Sequence, residues 1–287
     1  MKQSTIIEWS DEAWNAVTGC SKISPGCQNC YAEKIAASQQ RMGRQKYANV
    51  FKLTLHESVI KSFYDKASRW PETRLIFVNS MSDQFHKNVP LDFTQRMFEA
   101  MGKLPDQRFK ILTKRSKQLL KLSPDLPWHD NIMVGVSIEN SRYLHRLDDL
   151  KKVPARWKSL SLEPLLGPLP HLDLNGIDWV VCGGESGSGA REMDPDWVRD
   201  IRDQCLVANV PFCFKQWGGK KRYDNGAELD GYIWAEKPEK FFGSVRKKRG
   251  GVMNKLISSL SPIVGKKYSG KIVLSFQDGK VVRIKRR

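Results

Sequence analysis

Short apolar, β-branched runs alternate with stretches of helical periodicity along most of the chain. The runs are Arg74 to Val78, Phe109 to Leu112, Ile132 to Val136, Trp157 to Leu160, Asp178 to Cys182 and Val210 to Phe214. Helical patterns lie between them, for example Asp92 to Met101, Ser141 to Leu150 and Asp196 to Ala208. The last follows Asp194-Pro195, a capping side chain and a proline whose fixed φ suits a first helical turn. Strands that alternate with helices form parallel βαβ units. With a further candidate strand at Ile6 to Trp9, the pattern predicts six or seven units, short of a complete eight-unit barrel. It fits a partial (β/α) barrel over residues 1–239, or a doubly wound sheet. In both, functional residues gather just past the carboxyl ends of the strands.

Those ends are polar. The runs are followed in turn by Asn79-Ser80-Met81-Ser82-Asp83, Thr113-Lys114-Arg115, Ser137-Ile138-Glu139-Asn140, Ser161-Leu162-Glu163-Pro164, Gly183-Gly184-Glu185-Ser186-Gly187 and Lys215-Gln216-Trp217. Any one of them reads equally well as helix capping and loop solvation. Six in succession, several with an acid or a cation, predict one concave polar site.

From about Lys240 the pattern changes. Arg246 to Gly251 reads as an exposed basic linker, Val252 to Ile263 as a short amphipathic helix, and Lys271 to Phe276 with Val281 to Lys285 as a hairpin about Asp278-Gly279. The whole chain of 287 residues carries 48 Lys+Arg against 31 Asp+Glu, a formal charge of +17. Residues 240–287 hold 14 of those basic residues and one acid, whereas residues 1–239 hold 34 basic and 30 acidic. The charge therefore belongs mainly to a C-terminal helix–hairpin module. Such a module would neutralise phosphates and bind nucleic acid in a salt-dependent way; the plainer alternative is a solubilising or ribosome-adhering tail. Hydrophobic content of 40% excludes a disordered chain. The apolar start Ile6-Ile7 is too short for a signal-peptide core, and no apolar stretch approaches the length of a membrane span. A cytoplasmic protein is expected, with its cysteines as thiols or metal ligands rather than disulfides.

Three of the six cysteines are grouped as Cys20-x6-Cys27-x2-Cys30, with Ser24-Pro25-Gly26 turning the chain back between them. Cys182, Cys205 and Cys213 lie in apolar runs and read as buried thiols. No fourth cysteine and no histidine falls near the group. A structural zinc asks for a closed set of four ligands. A [4Fe–4S] cluster held by three thiolates leaves one iron open. The group opens a helix from Tyr31 and sits at the same end as the polar strand termini, a position that suits an open iron facing a pocket.

In sequence order, Asp11 to Cys20, Cys27-x2-Cys30-Tyr31-Ala32-Glu33, Asn79 to Asp83, Ile111 to Arg115, Gly135 to Asn140, Ser161 to Pro168, Gly183 to Gly187 and Phe214 to Gly218 resemble the phage Gp37/Gp68 (DUF5131) family. Its members are regarded as radical S-adenosylmethionine (SAM) proteins, distantly similar to spore photoproduct lyase. The resemblance implies that Cys20, Cys27 and Cys30 hold a [4Fe–4S] cluster whose fourth iron is chelated by SAM, and that the reaction begins from a 5′-deoxyadenosyl radical. It further implies an electron donor and a possible three-Cys-motif partner protein. On that basis Ser80, Ser82 and Asp83 would meet the SAM amino group, Ser137 and Glu139 the ribose hydroxyls, and Glu163 the same pocket. Lys114, Arg115 and Lys215 would take an anionic substrate, DNA or a nucleotide, with Trp217 as a stacking face. Two departures from the usual radical SAM pattern stand out: the first cysteine gap is six rather than three, and Asn29 takes the customary aromatic position. Gly183-Gly184-Glu185 has the letters of a SAM-binding motif that ordinarily follows a second strand; here it follows the fifth run, the sixth strand when Ile6 to Trp9 is counted, and is read as a tight turn presenting Glu185 to the pocket. The C-terminal segment is similar to small bacterial DUF2292 (YezD-like) proteins. The alternative function is a non-catalytic zinc-binding nucleic-acid adaptor.

Overall fold

The computed structural model describes residues 10–221 and 225–242, together with the backbone of 272–277 and 280–286. The chain divides into two units, residues 1–241 and 242–287. In the first, seven strands lie side by side in the order the chain makes them: β1 (Glu12–Trp14), β2 (Leu75–Val78), β3 (Arg108–Thr113), β4 (Ile132–Ser137), β5 (Trp157–Leu162), β6 (Trp179–Gly183) and β7 (Phe212–Gln216). Every ladder is parallel. Six of the strands fall on the six apolar runs. Both faces of a parallel sheet are covered, so its strands are written as nearly continuous apolar segments, and all six residues of β4 are buried. The seventh strand, β1, is short and mixed in character. It is anchored by Trp14, which stacks on Phe63 with ring centroids 4.7 Å apart. The run Ile6 to Trp9 lies outside the described residues.

Helices cover the crossovers: α1 (Tyr31–Arg41) and α2 (Glu57–Ala67) between β1 and β2, then α3 (Leu91–Gly102), α4 (Ser116–Leu122), α5 (His145–Lys151) and, before β7, α6 (Pro195–Ala208). Helix α3 buries Phe93, Met97, Phe98 and Met101, one stripe at helical spacing. At the start of α6 the Asp194 carboxylate accepts a hydrogen bond from the Asp196 amide, and the helix ends at Asn209 in the left-handed conformation. The β5–β6 connection, residues 163–178, runs without a helix.

The sheet curls into a half-barrel, and two side chains show how tightly. Lys110 on β3 and Trp179 on β6 are three ladders apart, about 14 Å on a flat sheet. Yet Lys110 Nζ lies 3.9 Å from the Trp179 ring centroid. They meet across the concave side, which is lined by alternate strand residues including Met133, Ser159, Ser161 and Cys213. The main hydrophobic core, built from Ile111, Val134, Leu160, Val180, Phe212 and the helix faces, occupies the convex side.

Residues 234–241 close the amino-terminal mouth of the half-barrel. They begin as an extension of the sheet, with Phe214 N donating to Trp234 O and Glu236 N to Phe212 O. They then cross beneath the strand starts, where Trp179 Nε1 donates to Glu236 O (2.9 Å) and Arg108 Nε to Phe241 O (2.5 Å). Phe241 is buried edge-on against Trp157. No helix among the described residues is long and apolar enough to cross a membrane.

In the second unit, strands Ile272–Gln277 and Lys280–Arg286 pair antiparallel with Gln277 opposite Lys280, as the hairpin signal predicts. The basic linker 246–251, the helix expected at 252–263 and the turn residues 278–279 lie outside the described residues.

Removing the ring that seals the lower mouth, Phe241→Ala, is expected to lower stability by about 3–5 kcal/mol, the usual loss for a buried phenylalanine. The urea midpoint should fall without a change in m-value; an unchanged midpoint would show that the seal is not part of the folded core.

Candidate functional site

The carboxyl ends of the strands converge on the loop that carries the three cysteines. The turn after β2 is shaped by Asn79, a buried residue with φ of 55° whose side-chain oxygen accepts from Val17 N (2.9 Å). This turn holds the start of the cysteine segment. Gly19 N donates to Met81 O, Ser82 Oγ donates to Gly19 O, and Ser80 Oγ donates to Asn15 Oδ1 (3.1 Å). Asp83 faces the other way, accepting from Thr113 Oγ1 (2.7 Å) and the amides of Phe85 and Lys114. It thereby ties the ends of β2 and β3 together. Arg115, next along, donates from Nη2 to Ser21 O (2.8 Å) and Ser21 Oγ, and that nitrogen lies 3.7 Å from Cys20 Sγ.

Two buried carboxylates grip the middle of the loop. Glu139, just past β4 and completely buried, accepts from Ser24 Oγ (2.5 Å) through one oxygen and from Arg146 Nη1 (2.9 Å) through the other. Gly26 lies against it so closely that a Cβ there would stand 2.5 Å from Glu139 Oε1. Glu185, past β6, accepts from Asn29 Nδ2 (3.0 Å) and from three nitrogens of Arg191: its amide, Nε and Nη2. Arg191 Nη2 also donates to Pro25 O (2.9 Å). Burial alone would push the Glu185 carboxyl up, but the hydrogen bonds from Arg191 and Asn29 hold it below its usual value. Both acids therefore act first on the loop: they fix the Ser24–Asn29 turn that places Cys27 and Cys30.

Each of the three cysteines is half-buried and free. Cys27 Sγ lies 3.7 Å from Ser24 Oγ, and Cys30 is the residue preceding the first turn of α1. Burial and the nearby Asp83 charge raise the Cys20 thiol to about 11, against the opposing pull of Arg115. Among the described residues, no three His, Cys, Asp or Glu side chains already stand together as a metal-binding set. The donor chemistry nonetheless fits a cluster. Three thiols share one short loop at the strand ends, with hydrogen-bond donors beside two of the sulfurs. Cys182, Cys205 and Cys213 are fully buried in the sheet and α6, as expected of packing thiols.

A second polar group lies inside the half-barrel. Lys215 Nζ pairs with Glu163 Oε1 at 3.2 Å, and Ser161 Oγ donates to Glu163 Oε2. Lys110 sits in the same interior over the Trp179 ring, with burial pushing its ammonium down to about 7 against the pull of Glu163.

A family model described as "Protein of unknown function (DUF5131)" matches residues 4–238. The chain belongs to the DUF5131 family. No curated protein matches it at a significant level. Among solved structures it is similar to spore photoproduct lyase complexed with dinucleoside spore photoproduct, at 15% identity over 71% of this chain and 64% of that one, with a TM-score of 0.39. A mutant of that lyase with bound AdoMet and dinucleoside spore photoproduct is similar at 13% identity, 71% and 64% coverage and a TM-score of 0.40. The chain thus spans about two-thirds or less of the length of those two.

In this DUF5131 chain the sequence-predicted residues separate into three places. Ser80, Ser82, Asp83, Arg115, Glu139 and Glu185 surround the cysteine loop, while Lys114 lines a cavity next to it. Glu163 and Lys215 belong to the interior pair, and the buried Ser137 offers its carbonyl to Arg146. Trp217 stands apart, its ring against Phe214 and its Nε1 donating to Glu228 O. Sequence reasoning missed Ser24, Asn29, Arg146, Arg191 and Lys110. Asn29 had a signal, since it occupies the position where the cysteine pattern departs from its usual form. The others have none that spacing could disclose, because their partners are distant in the chain.

Two outcomes are expected. Arg146→Met leaves the Glu139 carboxylate buried without its cation and should destabilise by about 3–5 kcal/mol; adding Glu139→Gln should restore part of that loss in urea titrations. Unfolded Lys110 releases its proton near 10.5 and folded Lys110 near 7. Between those values the unfolded chain binds more protons, so this component of stability grows as pH rises and is lost as pH falls towards 7. The stability of wild type minus that of Lys110→Met should therefore increase between about pH 7 and 10; a constant difference would contradict the shift.

Proposed function

We propose that this protein is a radical SAM enzyme that holds a [4Fe–4S] cluster through Cys20, Cys27 and Cys30 and acts on DNA or a nucleotide. The observation that carries the reading is the anchoring of one three-cysteine loop, by the two buried carboxylates Glu139 and Glu185, over the carboxyl ends of a parallel half-barrel. When bound, a cluster and SAM supply a one-electron cleavage that yields a 5′-deoxyadenosyl radical able to abstract hydrogen. The chain's own residues provide position and seclusion. Ser24 and Asn29 receive the grip of the sheet on the loop, and Arg115 lays a cation beside Cys20. Residues 234–241 cover the lower mouth, away from the cysteine loop, so the interior with Glu163 and Lys215 is shielded at that end. Ser80, Ser82, Asp83, Ser137, Glu139 and Glu163 are assigned to the cofactor side, Glu139 through the loop that it grips; Lys114, Arg115 and Lys215 are assigned to an anionic substrate, Trp217 to stacking on it, and Glu185 to the substrate side through the turn that it anchors.

The basic segment 240–287 is assigned to nucleic-acid attachment. Six free thiols suit a reducing, cytoplasmic setting. An electron donor is required, and a three-Cys-motif protein is the partner that the family likeness suggests.

Anaerobically purified protein should be brown, absorb near 400 nm and contain about four irons per chain, as a [4Fe–4S] cluster requires. It should cleave SAM reductively to 5′-deoxyadenosine, and Cys27→Ala should lose both iron and cleavage. Stoichiometric zinc without iron would instead establish the non-catalytic nucleic-acid adaptor.

A further inference from the structure

Beside the cysteine loop lies a cavity of about 350 Å³ that the cofactor assignments leave unused. Its lining draws cations from four separate elements: Lys87 from the turn after β2, Lys114 and Arg115 from the end of β3, Lys117 from α4, and Arg146 from α5. Among the described residues, no carboxylate lines it. Arg115 and Arg146 are engaged from the cavity wall inward, with Ser21 and Glu139. The ammonium groups of Lys87, Lys114 and Lys117 have no hydrogen bond or ion pair among the described residues. Some other lysines of this unit are paired, Lys22 with Glu33, Lys61 with Asp65, Lys66 with Glu12 and Lys151 with Asp173, and those that are not, such as Lys46, Lys52, Lys103 and Lys121, do not line this cavity. The body of the chain is nearly balanced in charge, so this concentration is local.

Like charges gathered in a concave place repel one another, and a cleft with low-dielectric walls focuses their field outward on whatever enters. An anion with several accepting oxygens relieves that repulsion, and phosphate does so best with Lys and Arg together. Tyr143 adds an aromatic wall, its ring already stacked on the Arg146 guanidinium at 4.3 Å, which suits a nucleoside beside the phosphate. Ile23 of the cysteine loop lines the same cavity, and Arg115 joins its wall to Ser21 and Cys20. An occupant is therefore held next to the reacting end of the half-barrel.

We infer that this cavity binds the phosphodiester backbone of a nucleic-acid strand and thereby sets which nucleotide is presented to the cysteine loop. The inference rests on the nucleic-acid reading above and adds its docking site, separate from the basic C-terminal segment.

The full chain, with residues 240–287 intact, is titrated against a fluorescein-labelled single-stranded oligonucleotide by anisotropy. Lys114→Glu/Lys117→Glu should weaken binding about tenfold to a hundredfold. It should also reduce the slope of log affinity against log salt by about 1.4, near 0.7 for each phosphate that is no longer neutralised. Lys87→Glu, from a different element, should act in the same direction. Lys121→Glu, on α4 but outside the cavity, should bind as wild type. Unlabelled oligonucleotide should displace the probe where a mononucleotide at equal phosphate concentration does not; the reverse result would give the site to free nucleotides and overturn the strand assignment. Iron content and SAM cleavage are measured on the same proteins. If both persist while the charge reversals leave binding unchanged, the cavity assignment fails and the enzyme reading stands. If wild type cleaves SAM but binds no oligonucleotide, the nucleic-acid reading itself falls.

Discussion

A carboxylate with no exposed surface has to be satisfied on every side, and Glu139 is such a group at the end of the central strand of the sheet. Its charge is met by Arg146 from α5, its second oxygen takes the Ser24 hydroxyl, and its methylene stem lies against Gly26. Uncompensated, a buried carboxylate costs several kcal/mol, so the sheet, the helix and the loop must come together in this one arrangement. Glu185 repeats the device two strands away, with Arg191 and Asn29 in the corresponding roles. Two ion-paired acids therefore hold a loop that has little apolar surface of its own. Its placement is electrostatic, and what it carries, three thiols, is placed with it.

The interior below the loop follows a different rule. A lysine inside a parallel half-barrel is unusual, and burial drives it towards the neutral form unless an anion approaches. Glu163 is the anion within electrostatic reach, but it is already paired with Lys215. Lys110, Lys215 and Glu163 thus share a compartment bounded below by Phe241. A packed apolar interior would have been easier to build.

Much of the architecture was legible in the sequence because parallel strands bury both faces. Six apolar runs located six strands, and Asp194-Pro195 located the start of α6. The strand Glu12–Trp14 was not, since three residues of mixed character give no period; tertiary packing of Trp14 on Phe63 and Phe109 makes it a strand. The site divides similarly. The polar residues after each strand were visible as letters, and so was the cysteine spacing. Their pairings were not: Glu139 with Ser24 is a contact across 115 residues, and Glu185 with Asn29 one across 156. Lys110 was concealed within Phe109 to Leu112, where one charged letter in an apolar run reads as an outward-facing position. On a sheet that curls, that position faces a closed interior.

Charge illustrates the same limit. Summed over residues 1–239 it is close to balance, which by itself argues against an anion-binding surface. The sum hides the distribution, because many of the acids already answer particular cations, at Lys61–Asp65 and Lys66–Glu12 on one side and around Arg199, Arg202 and Asp230 on another. Asp83, Glu139 and Glu185 are likewise occupied within the strand-end network. Among the lysines without an answering charge in the described residues, Lys87, Lys114 and Lys117 are the ones gathered around one cavity. A balanced body with a cationic hollow would attract polyanions in one orientation, where a uniformly basic surface would hold them in many. Orientation is what the proposed hydrogen-abstracting site would need most, since such a centre must meet one atom of its substrate and exclude the rest. On the proposed reading, the basic C-terminal segment would supply attraction without direction, and the hollow beside Cys20 the direction.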